Sequence, residues 1–234
     1  MNNSYEIKSN IEKIRNGYQT RFLDSKMQME LKRILKKNEY IEYLAYKDTE
    51  KVIFYKDVKP KVSLLEIVMK TKNKKLEHRE ILGTVFSMGL KDTMFGDIII
   101  DDDKYYIYVL DEIKDFLINN LTIINKNKVI LEERDIELLK DYKRKYLELE
   151  FIVSSERLDT VIANLIKINR NKVQELVREK DILLNYSLPT SISKKMQIGD
   201  IFSIRGFGKY IYGGVIKETK SGKLIVRVNK YVWF

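Results

Sequence analysis

Residues 154–185, SSERLDTVIANLIKINRNKVQELVREKDILLN, decide the fold of the C-terminal third of this 234-residue chain. Apolar side chains recur there at intervals of three and four residues, in two runs separated by a short turn. The two runs are Leu158, Val161, Ile162, Leu165 and Val173, Leu176, Val177. This spacing puts the apolar side chains on one face of each of two short helices. Asn169 or Asn171 can cap the second helix.

The residues after this stretch favour a small sheet. Residues 182–185 read as a strand, and a turn containing Pro189 follows. The segment GDIFSIR at 199–205 reads as a further strand, which ends at Gly206-Phe207-Gly208. The C-terminal third is therefore predicted to be a two-helix corner on a small, twisted sheet.

Upstream, residues 61–134 predict alternating strands and helices. The predicted strands are 62–69, 95–100, 104–110 and 129–131, and the predicted helices are 77–88 and 111–121. Gly89 is placed to end the first helix, Asp111 to cap the second, and Asp101-Asp102-Asp103 to turn the hairpin. The order βαββαβ predicts a ferredoxin-like fold, or α-β plait. That fold hosts many functions and indicates none by itself.

The remaining segments complete an α+β chain. Residues 4–37 have helical spacing, residues 40–57 favour a short hairpin, and the charged residues 135–150 favour a connector. The predicted division is an N-terminal helical or mixed region at 1–60, the plait at 61–134, a connector at 135–153, the two-helix domain at 154–214, and a basic C-terminal strand or tail at 215–234.

Composition limits the class of protein. The chain is 44% hydrophobic, has no cysteine, and begins with the polar stretch MNNSYEIKSN. No apolar run approaches the roughly 18 residues that a membrane span needs. These features predict a globular cytoplasmic protein without disulfides or thiolate metal sites.

The positive charge is concentrated at one end of the chain. Residues 154–234 hold 15 Lys and Arg against 7 Asp and Glu, whereas residues 1–153 hold 29 against 27. The net charge of +10 therefore comes mostly from the last third, which is typical of a protein that binds RNA or DNA. The alternative is a Lys-rich surface with no particular partner.

Four segments of the C-terminal third resemble the S4 RNA-binding domain. They are RLD at 157–159, the basic turn at 167–172, LLN at 183–185 and GDIFSIRGFG at 199–208. Together with LEHREILGTVFSMGLKDTMFGDIII at 76–100, they resemble the bacterial YlmH-like family over roughly residues 60–214. The S4 pattern has Gly where this chain has Tyr186, so we expect the turn after Asn185 to be built differently.

The resemblance implies which residues contact RNA. Arg157 and Arg170 match the two basic positions at the RNA face of the family, and guanidinium groups suit phosphate oxygens. Lys172, Arg178 and Arg205 are expected to support them, with Lys167 and Lys209 as further contacts; for each alone, a solvated surface charge is the alternative. Asp159 is expected to be structural, capping the helix or pairing with an arginine.

The resemblance also implies a function. The family binds ribosomal RNA and tRNA on the large ribosomal subunit, in quality control of stalled nascent chains. We expect a monomer that does not bind membranes and that works beside other quality-control factors. Two alternatives are an S4-domain RNA-modifying enzyme resembling a pseudouridine synthase, and an interaction scaffold linked to cell division.

No segment predicts catalysis, a metal or a cofactor. The sequence lacks the GxxxxGK[ST] and GxGxxG patterns, and its single histidine, His78, has no partner in a recognisable catalytic motif. His78 is expected to make a polar contact near a helix start. Tyr105, Tyr106 and Tyr108 could stack on RNA bases, but simple packing is the favoured interpretation because the Gly-aromatic signature of that mode is missing.

Overall fold

A computed structural model describes residues 3–71 and 74–232. The chain forms two compact units, one up to Lys143 and one at Arg144–Val232. Helices and sheets occur in both, so the predicted α+β class is confirmed. Within the described ranges, no helix has the length and apolar character that a membrane crossing needs.

The first unit begins with two helices and a two-stranded sheet. Their bounds are α1 at Asn3–Arg15, α2 at Ser25–Ile34, β1 at Ile41–Tyr43 and β2 at Ile53–Tyr55. β1 and β2 pair antiparallel, which confirms the predicted hairpin. The predicted helical stretch 4–37 is broken, because Gly17 adopts a φ of +80° after α1 and Asp24 caps α2 through the amide of Met27.

The rest of the first unit is the plait. Its elements are β3 at Val62–Met69, α3 at His78–Ser87, β4 at Phe95–Asp101, β5 at Lys104–Leu110, α4 at Asp111–Asn120, β6 at Ile123–Ile124 and β7 at Asn127–Arg134. Short 3₁₀ turns occupy Asp92–Met94 and Ile136–Leu139. The sheet order is β4-β5-β3-β7-β6 with antiparallel pairing throughout. This order confirms the ferredoxin-like fold.

Both faces of the plait sheet are covered. Helices α3 and α4 pack on one face, against a core that includes Tyr105. On the other face, the N-terminal segment packs Phe22 and other apolar residues against Tyr106 and Tyr108. Gly96 permits this approach, because a Cβ there would meet the Phe22 ring at 2.7 Å. All three tyrosines are buried, so they pack and leave no sheet face for base stacking.

A buried carboxylate fastens the N-terminal segment to the plait. Asp97 of β4 accepts hydrogen bonds from the Tyr46 hydroxyl at 2.6 Å and the Glu50 amide at 2.8 Å. Asp111, predicted to cap α4, is instead its first residue after the cap position Leu110, and its carboxylate accepts from the Ser63 hydroxyl at 2.6 Å. The side chain therefore points to Ser63 of β3 and makes no cap hydrogen bond to α4.

The second unit packs two helices on one five-stranded sheet. Its elements are β8 at Tyr146–Val153, α5 at Leu158–Leu165, α6 at Arg170–Arg178, β9 at Ile182–Leu184, β10 at Ile201–Ile204, β11 at Gly208–Glu218 and β12 at Leu224–Tyr231. The strand order is β8-β12-β11-β10-β9. Val161 of α5 and Val173 of α6 share a core with Tyr210, Tyr212 and Val228 of the sheet. Both helices therefore cover one face.

The second unit extends beyond the predicted boundaries of 154 and 214. Residues 146–153, predicted to belong to a connector, form β8 and pair with β12 along its length. Their alternating charges obscured the strand, since Glu148 and Glu150 meet Arg227 while Leu149 and Phe151 face the core. The predicted C-terminal tail likewise supplies β12, except residues 233 and 234, which lie outside the described residues.

Candidate nucleic-acid interface

The start of α5 presents Arg157. Arg157 is the cap residue of this helix, and its guanidinium donates to both oxygens of the Asp159 carboxylate, at 3.1 and 2.7 Å. Asp159 is buried, and it also accepts from the Thr160 amide at 2.8 Å. The expected structural role of Asp159 is thus what the geometry shows.

The electrostatics of this pair favour the ionised form of Asp159. Burial alone would raise the pKa of this carboxyl, but the hydrogen bonds and charge of Arg157, together with the Thr160 amide hydrogen bond, act in the opposite direction, and the pKa lies below its ordinary value. The charge of Arg170 lowers it further. Arg157 and Arg170 are therefore brought close enough to act on one carboxylate.

The start of α6 presents Arg170. Asn169 caps the helix by accepting from the Lys172 amide at 2.8 Å, as one of the two sequence alternatives predicted. Arg170 is exposed and donates to the Ser154 hydroxyl at 3.1 Å. In the part of the chain that the structure describes, no carboxylate pairs with Arg170 at salt-bridge distance. Its guanidinium is thus available to an incoming phosphate at small cost.

Lys167 and Lys172 flank the same turn. Lys167 is exposed after the end of α5 and has a φ of +56°, a left-handed conformation usually taken by Gly. The Ile168 amide donates to the Ala163 carbonyl at 2.9 Å, which closes the helix end. Lys172 pairs with Glu175 one turn along α6 at 2.8 Å, and this exposed pair raises the lysine pKa.

Arg178 and Arg205 lie at the other end of α6. Arg178 is its last residue and is exposed. The Arg205 amide donates to the Asp181 carbonyl at 2.9 Å, and its guanidinium approaches the Asp181 carboxylate at 3.4 Å. This second basic pair is separated from Arg170 by the length of α6, about 12 Å at 1.5 Å per residue.

Lys209 lies apart from the other predicted residues. Side chains alternate along a strand, and its neighbour Tyr210 faces the core beneath the helices. Lys209 therefore projects from the opposite face of the sheet. Its ammonium lies 4.8 Å from the ring centroids of both Tyr186 and Tyr231. The structure thus does not bring Lys209 to the helix starts.

The structure adds two lysines that the sequence analysis missed. The segment before β10 runs along the start of α5, where the Leu158 amide donates to the Lys194 carbonyl at 3.0 Å and an isolated antiparallel β-bridge joins the backbones of Lys195 and Arg157. The Lys195 ammonium pairs with Glu156 at 2.8 Å. Both lysines are exposed. The Lys-Lys doublet is visible in the sequence, but only the fold shows that these two lysines lie beside Arg157 at the start of α5.

The turn between β9 and β10 begins without glycine. Asn185 and Tyr186 both take positive φ, at 48° and 62°, and backbone hydrogen bonds join Leu184 to Ser187 in both directions. The Asn185 side chain holds the turn by donating to Asp200 and accepting from the Ile201 amide. The expectation of a differently built turn is confirmed.

The described residues offer little metal chemistry. No group of three or more His, Cys, Asp or Glu side chains within 3–71 and 74–232 is arranged to hold a metal ion. His78 is the first residue of α3, whose start is a capping box made by Glu77 and Glu80. The polar surface at the two helix starts is basic and suits anion binding.

Residues 57–138 match the family described as "Putative RNA-binding domain in YlmH". This range lies in the first unit and covers the plait. A curated relative is the ribosome-associated protein quality control protein P2 of Bacillus subtilis (strain 168), 33% identical over 151 residues. That alignment covers 63% of this chain, and the chain spans 58% of the length of the relative.

A solved structure is also similar: the cell division protein YlmH from Streptococcus pneumoniae. The sequences are 25% identical, the TM-score is 0.47, and the match covers 59% of this chain and 93% of that chain. The family match and the Bacillus subtilis relative confirm the resemblance to YlmH-like proteins that the sequence analysis stated.

Proposed function

We propose that this chain, a YlmH-like protein, is a non-enzymatic factor that binds ribosomal RNA and tRNA on the large ribosomal subunit. The observation that carries the proposal is that Arg157 and Arg170 lie at the starts of two adjacent helices, with Lys194 and Lys195 beside Arg157. Arg157 and Lys195 are ion-paired with Asp159 and Glu156, and together with Arg170 and Lys194 they form a basic surface that suits the phosphates of structured RNA.

The setting we propose is ribosome-associated quality control of stalled nascent chains. The name of the Bacillus subtilis relative supports this setting, and the family description supports RNA binding. We propose that residues 154–214 act as an S4-type domain within the second unit. We expect the protein to act as a cytoplasmic monomer beside other quality-control factors, without a cofactor.

Sedimentation of the full chain with ribosomes tests the proposal. Tagged protein should travel with the large subunit through a sucrose gradient, and RNase treatment should release it. The variant Arg170→Ala should shift toward the top of the gradient, whereas Lys220→Ala, which removes an exposed lysine from the turn before β12, should not. Co-sedimentation that survives RNase would favour a protein scaffold, and our proposal would fail.

An enzymatic role has a separate test. Purified protein should form no pseudouridine in ribosomal RNA, because its surface at the helix starts offers cations for binding and no assembled acid–base pair. The enzyme alternative would replace our proposal if RNA modification co-purifies with the protein and is lost when one Asp is substituted.

A further inference from the structure

We propose that the first unit carries a second RNA-backbone site, which we name the first-unit groove. This inference rests on the proposed RNA-binding function and adds a site to it. The groove has a volume of about 550 Å³ and is bordered by Lys13, Arg21, Lys59 and Lys61. A neighbouring hollow of about 250 Å³ shares Lys13 and Arg21 and adds Lys91. Five cations thus line two adjacent hollows that share Lys13 and Arg21.

These cations come from separate parts of the chain. Lys13 is on α1, Arg21 precedes α2, Lys59 and Lys61 precede β3, and Lys91 follows α3. No short run of basic residues in the sequence marks the site. Within the described residues, no carboxylate pairs with the four lysines at salt-bridge distance. Grouped like charges repel one another, and a bound polyanion relieves that repulsion.

Three carboxylates, Glu6, Asp111 and Glu112, line the groove and the hollow against the five cations, so the lining keeps a net charge of +2. Asp111 accepts from Ser63 at 2.6 Å and lies 3.4 Å from Lys114, so it is held toward β3. That hydrogen bond lowers the Asp111 pKa. Glu112 pairs with Arg21 at 3.3 Å, and Asp111 and Lys61 interact through their charges, so the excess positive charge comes from the other lysines. An anionic ligand therefore meets mainly lysine ammonium groups.

The groove suits RNA better than an acidic peptide for two reasons. Lys59, Lys61 and Lys91 lie inside residues 57–138, which match a family described as RNA-binding, while the sheet face of this plait is covered. The hollow is also lined by Tyr5, a residue that is 76% exposed and whose ring can stack on an unpaired base. Phosphates along the lysines and a base on Tyr5 would use both features.

Binding by the full-length protein tests the groove. The probe is purified large-subunit ribosomal RNA, and the variant is Lys59→Gln with Lys61→Gln. We expect its affinity to fall on the order of tenfold, and the slope of log affinity against log salt to become shallower by about one per lost phosphate contact. The matched control, Lys26→Gln with Lys37→Gln, removes the same charge from exposed positions outside the groove. It should bind like wild type.

The outcomes separate this inference from the proposed function. Equal affinity of the groove and control variants, with wild type binding RNA, overturns the groove and leaves the proposed function standing. A wild-type chain that binds no RNA overturns both. If the groove variant loses binding to poly-glutamate but keeps its binding to RNA, the groove is a site for acidic proteins and the inference is overturned. Matching urea midpoints establish that the variants fold.

Discussion

The guanidinium of Arg157 donates two hydrogen bonds to the carboxylate of Asp159, and only the arginine side of this pair reaches solvent: its side chain is 44% exposed, against 3% for Asp159. One of the two arginines proposed to contact RNA phosphates is therefore also the counter-ion of a buried carboxylate. We therefore expect substitution of Arg157 to affect both folding and RNA binding, so a functional test needs variants that separate the two effects.

We predict that Asp159→Asn destabilises the protein by about 1–3 kcal/mol at pH 7, because the amide cannot replace a charged acceptor in a buried site. The Asp159 pKa is lowered in the folded protein, so its stabilisation is complete above the unfolded value of about 3.9 and is lost as pH falls through the folded value. Urea unfolding at pH 7 and near pH 3 measures this. If the difference in unfolding free energy between wild type and variant is the same at both pH values, the stabilising role of ionised Asp159 is contradicted.

We predict that Arg170→Ala weakens RNA binding and changes the free energy of unfolding by less than about 0.5 kcal/mol, since its described side-chain contact is one hydrogen bond to Ser154. Arg157→Ala should weaken binding and also lower the urea midpoint, because Asp159 loses its partner. RNA titration and urea unfolding of both variants check this. The double variant Arg157→Ala with Asp159→Asn removes the buried charge, and should recover part of the lost stability without recovering RNA affinity.

Local pattern was sufficient to predict the helices and much of the plait. Apolar spacing gave α5 and α6, and Asn169 does cap α6, because these features depend on neighbours within one turn of helix. The strand order of the plait also followed, since βαββαβ connectivity permits few arrangements. The long-range contacts could not be predicted in the same way. Nothing local to Phe22 shows that it packs against Gly96.

The sequence predicted which residues could bind RNA, but it did not predict how they are arranged in space. Charge counts and the S4 resemblance identified Arg157 and Arg170, and the fold brings both near Asp159. The same reasoning grouped Lys209 with them, although strand alternation puts it on the opposite sheet face. The groove cations escaped notice because the net charge of residues 1–153 is only +2, which hides a local excess that folding assembles.

We predict that Lys167→Gly raises stability by about 1 kcal/mol, because glycine adopts the left-handed backbone of this position without the steric cost that a Cβ incurs. Lys167→Ala keeps that cost and should not stabilise. Both variants lose the same positive charge, so both should lower RNA affinity equally if Lys167 contacts phosphate. Thermal unfolding and RNA titration measure the two effects, and a Gly variant no more stable than the Ala variant would refute the backbone argument.

The final prediction concerns Lys209, which the structure separates from the helix starts. Its ammonium contacts the rings of Tyr186 and Tyr231, and such contacts are worth roughly 0.5–2 kcal/mol. Lys209→Ala should therefore lower stability, while Lys209→Arg, which retains a cation over the rings, should keep most of it. Because Lys209 faces away from α5 and α6, Lys209→Ala should leave RNA affinity and its salt dependence near wild type, whereas Arg170→Ala makes that dependence shallower. Urea unfolding and RNA titration across a salt series decide between the two roles. If the RNA affinity of Lys209→Ala depends less steeply on salt than that of wild type, Lys209 contacts RNA, and the RNA-binding surface extends to the other face of the sheet.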